Sequence, residues 1–152
     1  MTIKRALLSD AEKIFTVLKP YYDSGIILER SLQEISDNIN YFTVSLDDAG
    51  SAIGCVSYHE YSKNLKEIRS LAVKKEFTEK GIGSQMMRFL LKELLDENPS
   101  TKIFTLTVVP DFFSKHGFKV VDKETLPEKI WKDCIKCHHK DNCDETAMVY
   151  LP

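Results

Sequence analysis

The stretch Ser70–Leu91, SLAVKKEFTEKGIGSQMMRFLL, decides the fold. Leu71, Ala72 and Val73 end an apolar strand that runs into a short charged connection. Gly81 and Gly83 follow, one residue apart, and then a long amphipathic helix with Met87, Leu90, Leu91 and Leu94 at helical spacing. A strand, a glycine-bearing turn and a helix N-terminus together make an anion site. First-turn N–H groups of a helix have no backbone partner, and the helix dipole adds partial positive charge there. Glycines let that backbone approach a phosphate closely, because no Cβ intervenes. A phosphate-bearing cofactor is expected at this turn.

Upstream, Ile3–Leu7 reads as a strand. The SDAE run of Ser9–Glu12 reads as a capping box for a helix with Ile14, Val17 and Leu18 on its apolar face, which Pro20 stops or kinks. A second capping box, SLQE at Ser31–Glu34, opens a helix carrying Leu32, Ile35 and Ile39. Tyr41–Leu46 and Ala52–Tyr61 pair as a hairpin across the DDAGS turn, and Glu67–Val73 is the next strand. Downstream come a strand at Ile103–Val109, a short helix at Asp111–Lys115 closed by Gly117, and a strand at Phe118–Val121. Thr125–Glu128 starts a short helix running through Trp131, and Ala147–Leu151 is a last strand. A hairpin-rich front half and a βαβ-like back half predict an α/β (α+β) architecture with flanking helices.

The chain has 152 residues, the size of one domain spanning 1–152, able to bury roughly two thirds of its unfolded surface. Hydrophobic residues make up 43% and charged residues 29%, a globular balance. The net charge of −2 gives no bulk attraction to nucleic acid or an anionic membrane. No apolar run approaches the roughly 20 residues that span a bilayer. The N-terminal sequence has no apolar core of a secretory signal, so the cytosol is the expected location.

The residues resemble the GNAT acetyl-CoA-dependent N-acetyltransferases. The family's cofactor loop reads Arg/Gln-x-x-Gly-x-Gly/Ala, and here the loop is Thr78-Glu79-Lys80-Gly81-Ile82-Gly83. An aromatic pair before x-x-x-Gly-Phe follows, as Phe112-Phe113-Ser114-Lys115-His116-Gly117-Phe118. The likeness implies the GNAT fold, a mixed and mostly antiparallel sheet of six to seven strands. Within the family, ILERSLQEI (27–35), EIRSLAV (67–73), VPDFFSKHGF (109–118) and LPEKIWKDCIKC (126–137) look like the short, stand-alone bacterial N-acetylglutamate synthases. Those enzymes acetylate L-glutamate at the first step of arginine biosynthesis, so the implied acceptor is L-glutamate. Family members are often dimers, and nothing in the sequence marks an interface.

The resemblance assigns roles. Leu71, Ala72 and Val73 would lie along the pantetheine arm, with backbone N–H and C=O groups exposed where the strand splays at a bulge. Thr78, Glu79, Lys80, Gly81, Ile82, Gly83 and Ser84 would wrap the pyrophosphate. Thr78 departs from the usual long polar donor. Phe113 holds the position of the usual leaving-group tyrosine, so another donor such as Ser114, or a stabilised thiolate, has to serve. Glu67 is the candidate general base. It lies four residues before Leu71, so regular strand alternation puts both on one face. Glutamate needs fixed cations for its two carboxylates, and the guanidinium fork of arginine suits them. Arg30 and Arg69 are the candidates. A surface carboxylate and surface or ion-paired arginines are the plain alternatives.

Of the four cysteines, Cys55 reads as core, while Cys134, Cys137 and Cys143 crowd beside His138 and His139. That spacing permits a structural zinc completed by a histidine, and packing thiols, a disulfide formed in air or a lid over the substrate side compete with it. His59 and His116 read as surface or helix-end residues. Two other functions keep the cofactor loop: acetylation of another amine (an amino acid, a polyamine or a protein N-terminus), or a non-catalytic sensor of CoA or arginine.

Overall fold

A computed structural model describes residues 1–126 and 145–151. The strands are β1 (Thr2–Arg5), β2 (Phe42–Leu46), β3 (Ala52–Ser62), β4 (Leu65–Val73), β5 (Lys102–Thr107), β6 (Phe118–Val120) and β7 (Thr146–Tyr150). The α-helices among the described residues are α1 (Ala11–Asp23), α2 (Leu32–Asp37), α3 (Ile82–Glu97) and α4 (Pro110–Ser114). The strands form one seven-stranded sheet in the order β1-β2-β3-β4-β5-β7-β6. Only β4 and β5 run parallel; the other neighbours are antiparallel. The mixed, mostly antiparallel sheet expected from the sequence is therefore present.

Helices cover both faces. Met86, Met87, Leu90 and Leu94 of α3 are at most 1% exposed and pack on Val56, Ile68 and Met148. Each such side chain contributes roughly 1.5–3 kcal/mol on leaving water. On the opposite face Ile14, Val17 and Leu18 of α1 meet Val44, Cys55 and Ala72.

Local signals act mostly as read. The Ser31 hydroxyl accepts the Glu34 N–H, and the Glu34 carboxylate accepts the Ser31 N–H, both at 3.1 Å, closing the expected capping box. The SDAE box does not form. Asp10 instead accepts the Leu7 N–H at 2.8 Å and the Lys4 ammonium at 2.7 Å, ending a 3₁₀ turn at Leu8–Asp10 just before α1. Burial alone would raise the Asp10 carboxyl; the bonds from Lys4 and Leu7 outweigh it and hold the group low. Pro20 does not stop α1, which runs on to Asp23. The expected helix from Thr125 is represented by a 3₁₀ turn at Lys123–Thr125, and its continuation through Trp131 lies outside the described residues.

The feature that positions the site is an irregularity in β4. Cys55 pairs with Ala72 and Ser57 with Arg69, so three steps on β4 match two on β3. The extra residue sits at Ser70, in the left-handed region at φ 51°. The bulge inverts the alternation. Ile68 belongs to the α3-side core, whereas Ala72, four residues on, belongs to the α1-side core. Leu71 and Val73 pack on the α3 side. The expectation that Glu67 shares a face with Leu71 is thereby corrected: Glu67, Arg69 and Ala72 share one face, and Leu71 lies on the other. Just past this point β4 and β5 part. Their last pair is Ile68 with Thr105, whose hydroxyl donates to the Ile68 carbonyl at 3.1 Å.

Candidate active site

The gap left by β5 exposes one edge of β4. The Lys74 N–H donates to the Ile53 carbonyl at 2.8 Å, which makes Lys74 and Ile53 a hydrogen-bonded pair. Alternation then puts Val73, opposite Gly54, in a non-hydrogen-bonded position, its N–H and C=O turned from β3 toward the gap. Ala72 takes the intervening position opposite Cys55 and is 4% exposed. Its backbone and its Cβ thus face away from the gap, so of the three strand residues assigned to the cofactor it is Ala72 that the structure sets apart.

The gap leads to the N-terminus of α3. Gly81 is the N-cap at φ 79°, and Glu79 is also left-handed at φ 67°. These two turns bring the chain round so that the first N–H groups of α3 open outward. Gly83 is close to the Phe112 ring: a Cβ there would lie 3.4 Å from it. The Ile82 side chain is buried in the α3 core, so only its backbone is offered to a ligand. Lys80 is exposed, with its ammonium 5.8 Å from the centre of the Phe77 ring. The Thr78 hydroxyl donates to the Lys75 carbonyl at 2.9 Å and fixes the turn before the loop, a different task from the long donor of the family pattern.

Phe113 is not at this surface. It is 3% exposed and stacks edge-on against Phe118 in the core, while Phe112 faces Gly83. Phe113, read from the resemblance as a cofactor-side residue, thus lies in the core while its neighbour faces the turn, because on a helix of one and a half turns adjacent residues point about 100° apart. Ser114, the other donor considered, is exposed at the end of α4.

His116 is a residue whose role the sequence did not reveal. Its Nε2 lies 3.0 Å from the Ser84 hydroxyl, and its ring packs 4.9 Å from Phe112, so it braces the first turn of α3. Burial pushes His116 below the ordinary imidazole value, and Arg88 and Lys115 push the same way. The unfolded chain then binds a proton more readily than the folded one. Stability is intact above the unfolded value of 6.5 and declines as the pH falls below it. Between about pH 7 and pH 5.5 the melting temperature should fall more for the wild type than for His116→Gln. Equal slopes would exclude His116 as the titrating group.

On the α1 side of the bulge a cleft of about 330 Å³ brings together Arg30, Glu34, Asn38, His59, Arg69 and Ser70. Arg30 enters from the loop before α2 and Arg69 from β4, so the two arginines singled out in the sequence share one cavity. Arg69 is held by its strand neighbours: its Nε donates to the Glu67 carboxylate at 2.7 Å and its terminal nitrogen to the Tyr61 hydroxyl at 2.8 Å. The Tyr61 hydroxyl donates in turn to Glu67 at 3.2 Å. Glu67 is 7% exposed and stands behind Arg69 rather than among the residues lining the cleft. Among the described residues no group of three or more histidines, cysteines or carboxylates could hold a metal. Cys134, Cys137 and Cys143, with His138 and His139, lie outside the described residues. No helix among the described residues is long and apolar enough to cross a membrane.

The splayed strand, the amide-lined turn and the flanking cleft agree with the matches to known proteins. Residues 5–118 match the acetyltransferase (GNAT) family model. The chain belongs to that family and is an acetyl-CoA-dependent N-acetyltransferase. It is 40% identical to an uncharacterized N-acetyltransferase of Chlorobaculum tepidum, over 97% of this chain and 94% of the other. It is 28% identical to the amino-acid acetyltransferase of Mycobacterium tuberculosis, over 90% of this chain and 78% of the relative. In fold it matches N-acetylglutamate synthase from Neisseria gonorrhoeae, solved with coenzyme A and N-acetyl-glutamate, with a TM-score of 0.85 at 22% identity. That match covers 98% of this chain and 34% of the synthase chain.

Proposed function

We propose that this protein transfers the acetyl group of acetyl-CoA to the α-amine of L-glutamate, which puts it in arginine biosynthesis in the cytosol. The observation that carries the reading is the meeting of Arg30 and Arg69 in one cleft that reaches Ser70, beside the free edge of β4. A diacid meets a guanidinium for each carboxylate there, and planar forks grip carboxylates bidentately. The amino-acid acetyltransferase among the relatives and the N-acetylglutamate synthase among the fold matches agree with an amino-acid acceptor.

The amides of the turn and of the first turn of α3 hold the diphosphate of the cofactor, because neither Gly81 nor Gly83 carries a Cβ of its own. The main chain of Leu71 and Val73 pairs with its amide arm. Acetyl-CoA supplies the acyl group as a thioester, whose carbonyl carbon the neutral amine attacks. A strand N–H facing the gap stabilises the charge that gathers on the thioester oxygen. Glu67 takes the amine proton through water as the N–C bond forms. The C–S bond then breaks, and the departing thiolate takes a proton from water, since the ring of Phe113 carries none.

The test is thiol release from acetyl-CoA with L-glutamate, aspartate, glutamine and a panel of amines. Saturable turnover with glutamate, well above aspartate and glutamine, is the expected result. Turnover confined to another amine would discard glutamate as the acceptor.

A further inference from the structure

Tyr21, near the end of α1, touches both halves of the site. Its hydroxyl donates to the Val73 carbonyl at 2.6 Å, across 52 residues of sequence. That carbonyl is one of the groups β4 turns toward the gap. The carbonyl of Tyr21 accepts the Ile26 N–H at 3.0 Å and the Ile27 N–H at 3.3 Å, and the Ser24 hydroxyl donates to it at 3.2 Å. These bonds shape the turn after α1, from which the chain passes directly to Leu28 and Arg30 in the cleft.

We propose that Tyr21 is a positioning residue that couples the two halves of the site, its hydroxyl fixing the cofactor edge of β4 and its carbonyl fixing the turn that leads to Arg30. The inference rests on the reading that the amide arm of acetyl-CoA lies along that edge. A carbonyl oxygen has two lone pairs, so the Tyr21 hydroxyl and an amide N–H of the arm share Val73 without displacement. An arm bound there immobilises Val73, Val73 holds the Tyr21 ring, and the ring holds the turn. Occupying the gap therefore orders the acceptor side before the acceptor arrives.

Tyr21→Phe removes the hydroxyl and keeps the ring. Calorimetric titration with CoA should show a dissociation constant raised about three- to tenfold, the scale of one lost hydrogen bond. The KM for acetyl-CoA should rise in step, with kcat at saturation unchanged. A variant with a lower melting temperature and wild-type CoA affinity would overturn the proposal, since Tyr21 would then serve stability alone. A second measurement needs no variant. In the wild type, saturating CoA should slow hydrogen exchange at the Ile26 and Ile27 amides severalfold, and unchanged exchange there would also overturn the proposal. The CoA titration and the exchange measurement need no acceptor, so a failure of glutamate as substrate leaves the inference standing. If CoA does not bind the wild type, the cofactor reading falls and the inference falls with it.

Discussion

Glutamine in place of Glu67 is expected to lower kcat by about 10²- to 10⁴-fold, the span of a lost general base. The dissociation constant for CoA should stay at the wild-type value. The substitution is close to isosteric, and the amide oxygen of glutamine can still accept from the Arg69 guanidinium that now sits 2.7 Å from the carboxylate. What glutamine cannot do is take a proton. The acid limb of the kcat/KM profile should disappear with the carboxylate, which separates loss of a base from loss of a support. If Glu67→Gln turns over like the wild type, the base role is refuted. If only the acceptor KM rises, Glu67 serves to aim Arg69, as its place behind that residue also allows.

Removal of the Arg30 guanidinium should strike the acceptor and spare the cofactor. Arg30→Met is expected to raise the KM for L-glutamate about 10- to 150-fold, the worth of a hydrogen-bonded contact to a charged group. Lysine should restore only part of it, because a point charge lacks the planar fork. The KM for acetyl-CoA should not move, since Arg30 lines the cleft and not the turn before α3. Arg69→Met should lower kcat as well, because it also strips the guanidinium from the buried Glu67 carboxylate. Wild-type glutamate kinetics in both variants would make the arginines bystanders and the acceptor a different amine.

Local chemistry was legible in the sequence. The Ser31 capping box, the turn at 47–51, the period of α3 and the glycines of the cofactor turn each depend on neighbours in the chain, and each stands where the residues put it. The meeting of Arg30 with Arg69 was legible only as two separate bets. The parts that escaped are tertiary. The resemblance implied a bulge in this strand, but the residue that makes it shows only against the pairing of β3, so Glu67 was expected on the face of Leu71. The box read at Ser9–Glu12 gave way to a 3₁₀ turn because Asp10, within it, takes the Lys4 ammonium of β1 and the Leu7 N–H instead. The bond between His116 and Ser84 joins residues 32 apart and leaves no trace in spacing.

The parting of β4 and β5 creates a strand edge inside the sheet rather than at its rim. Exposed edges invite any chain that can offer matching amides, and proteins usually blunt them. Here the edge lies between helices on both faces, with a bulge at one end and a glycine turn at the other, so a folded protein strand does not fit. A slender molecule with peptide-like amides does, and it would enter as a short extra strand, the small-molecule counterpart of β-augmentation. On the proposed function, selectivity for a cofactor that carries amide bonds between its phosphates and its sulfur is a property of an unfinished ladder, set by backbone geometry before any side chain takes part.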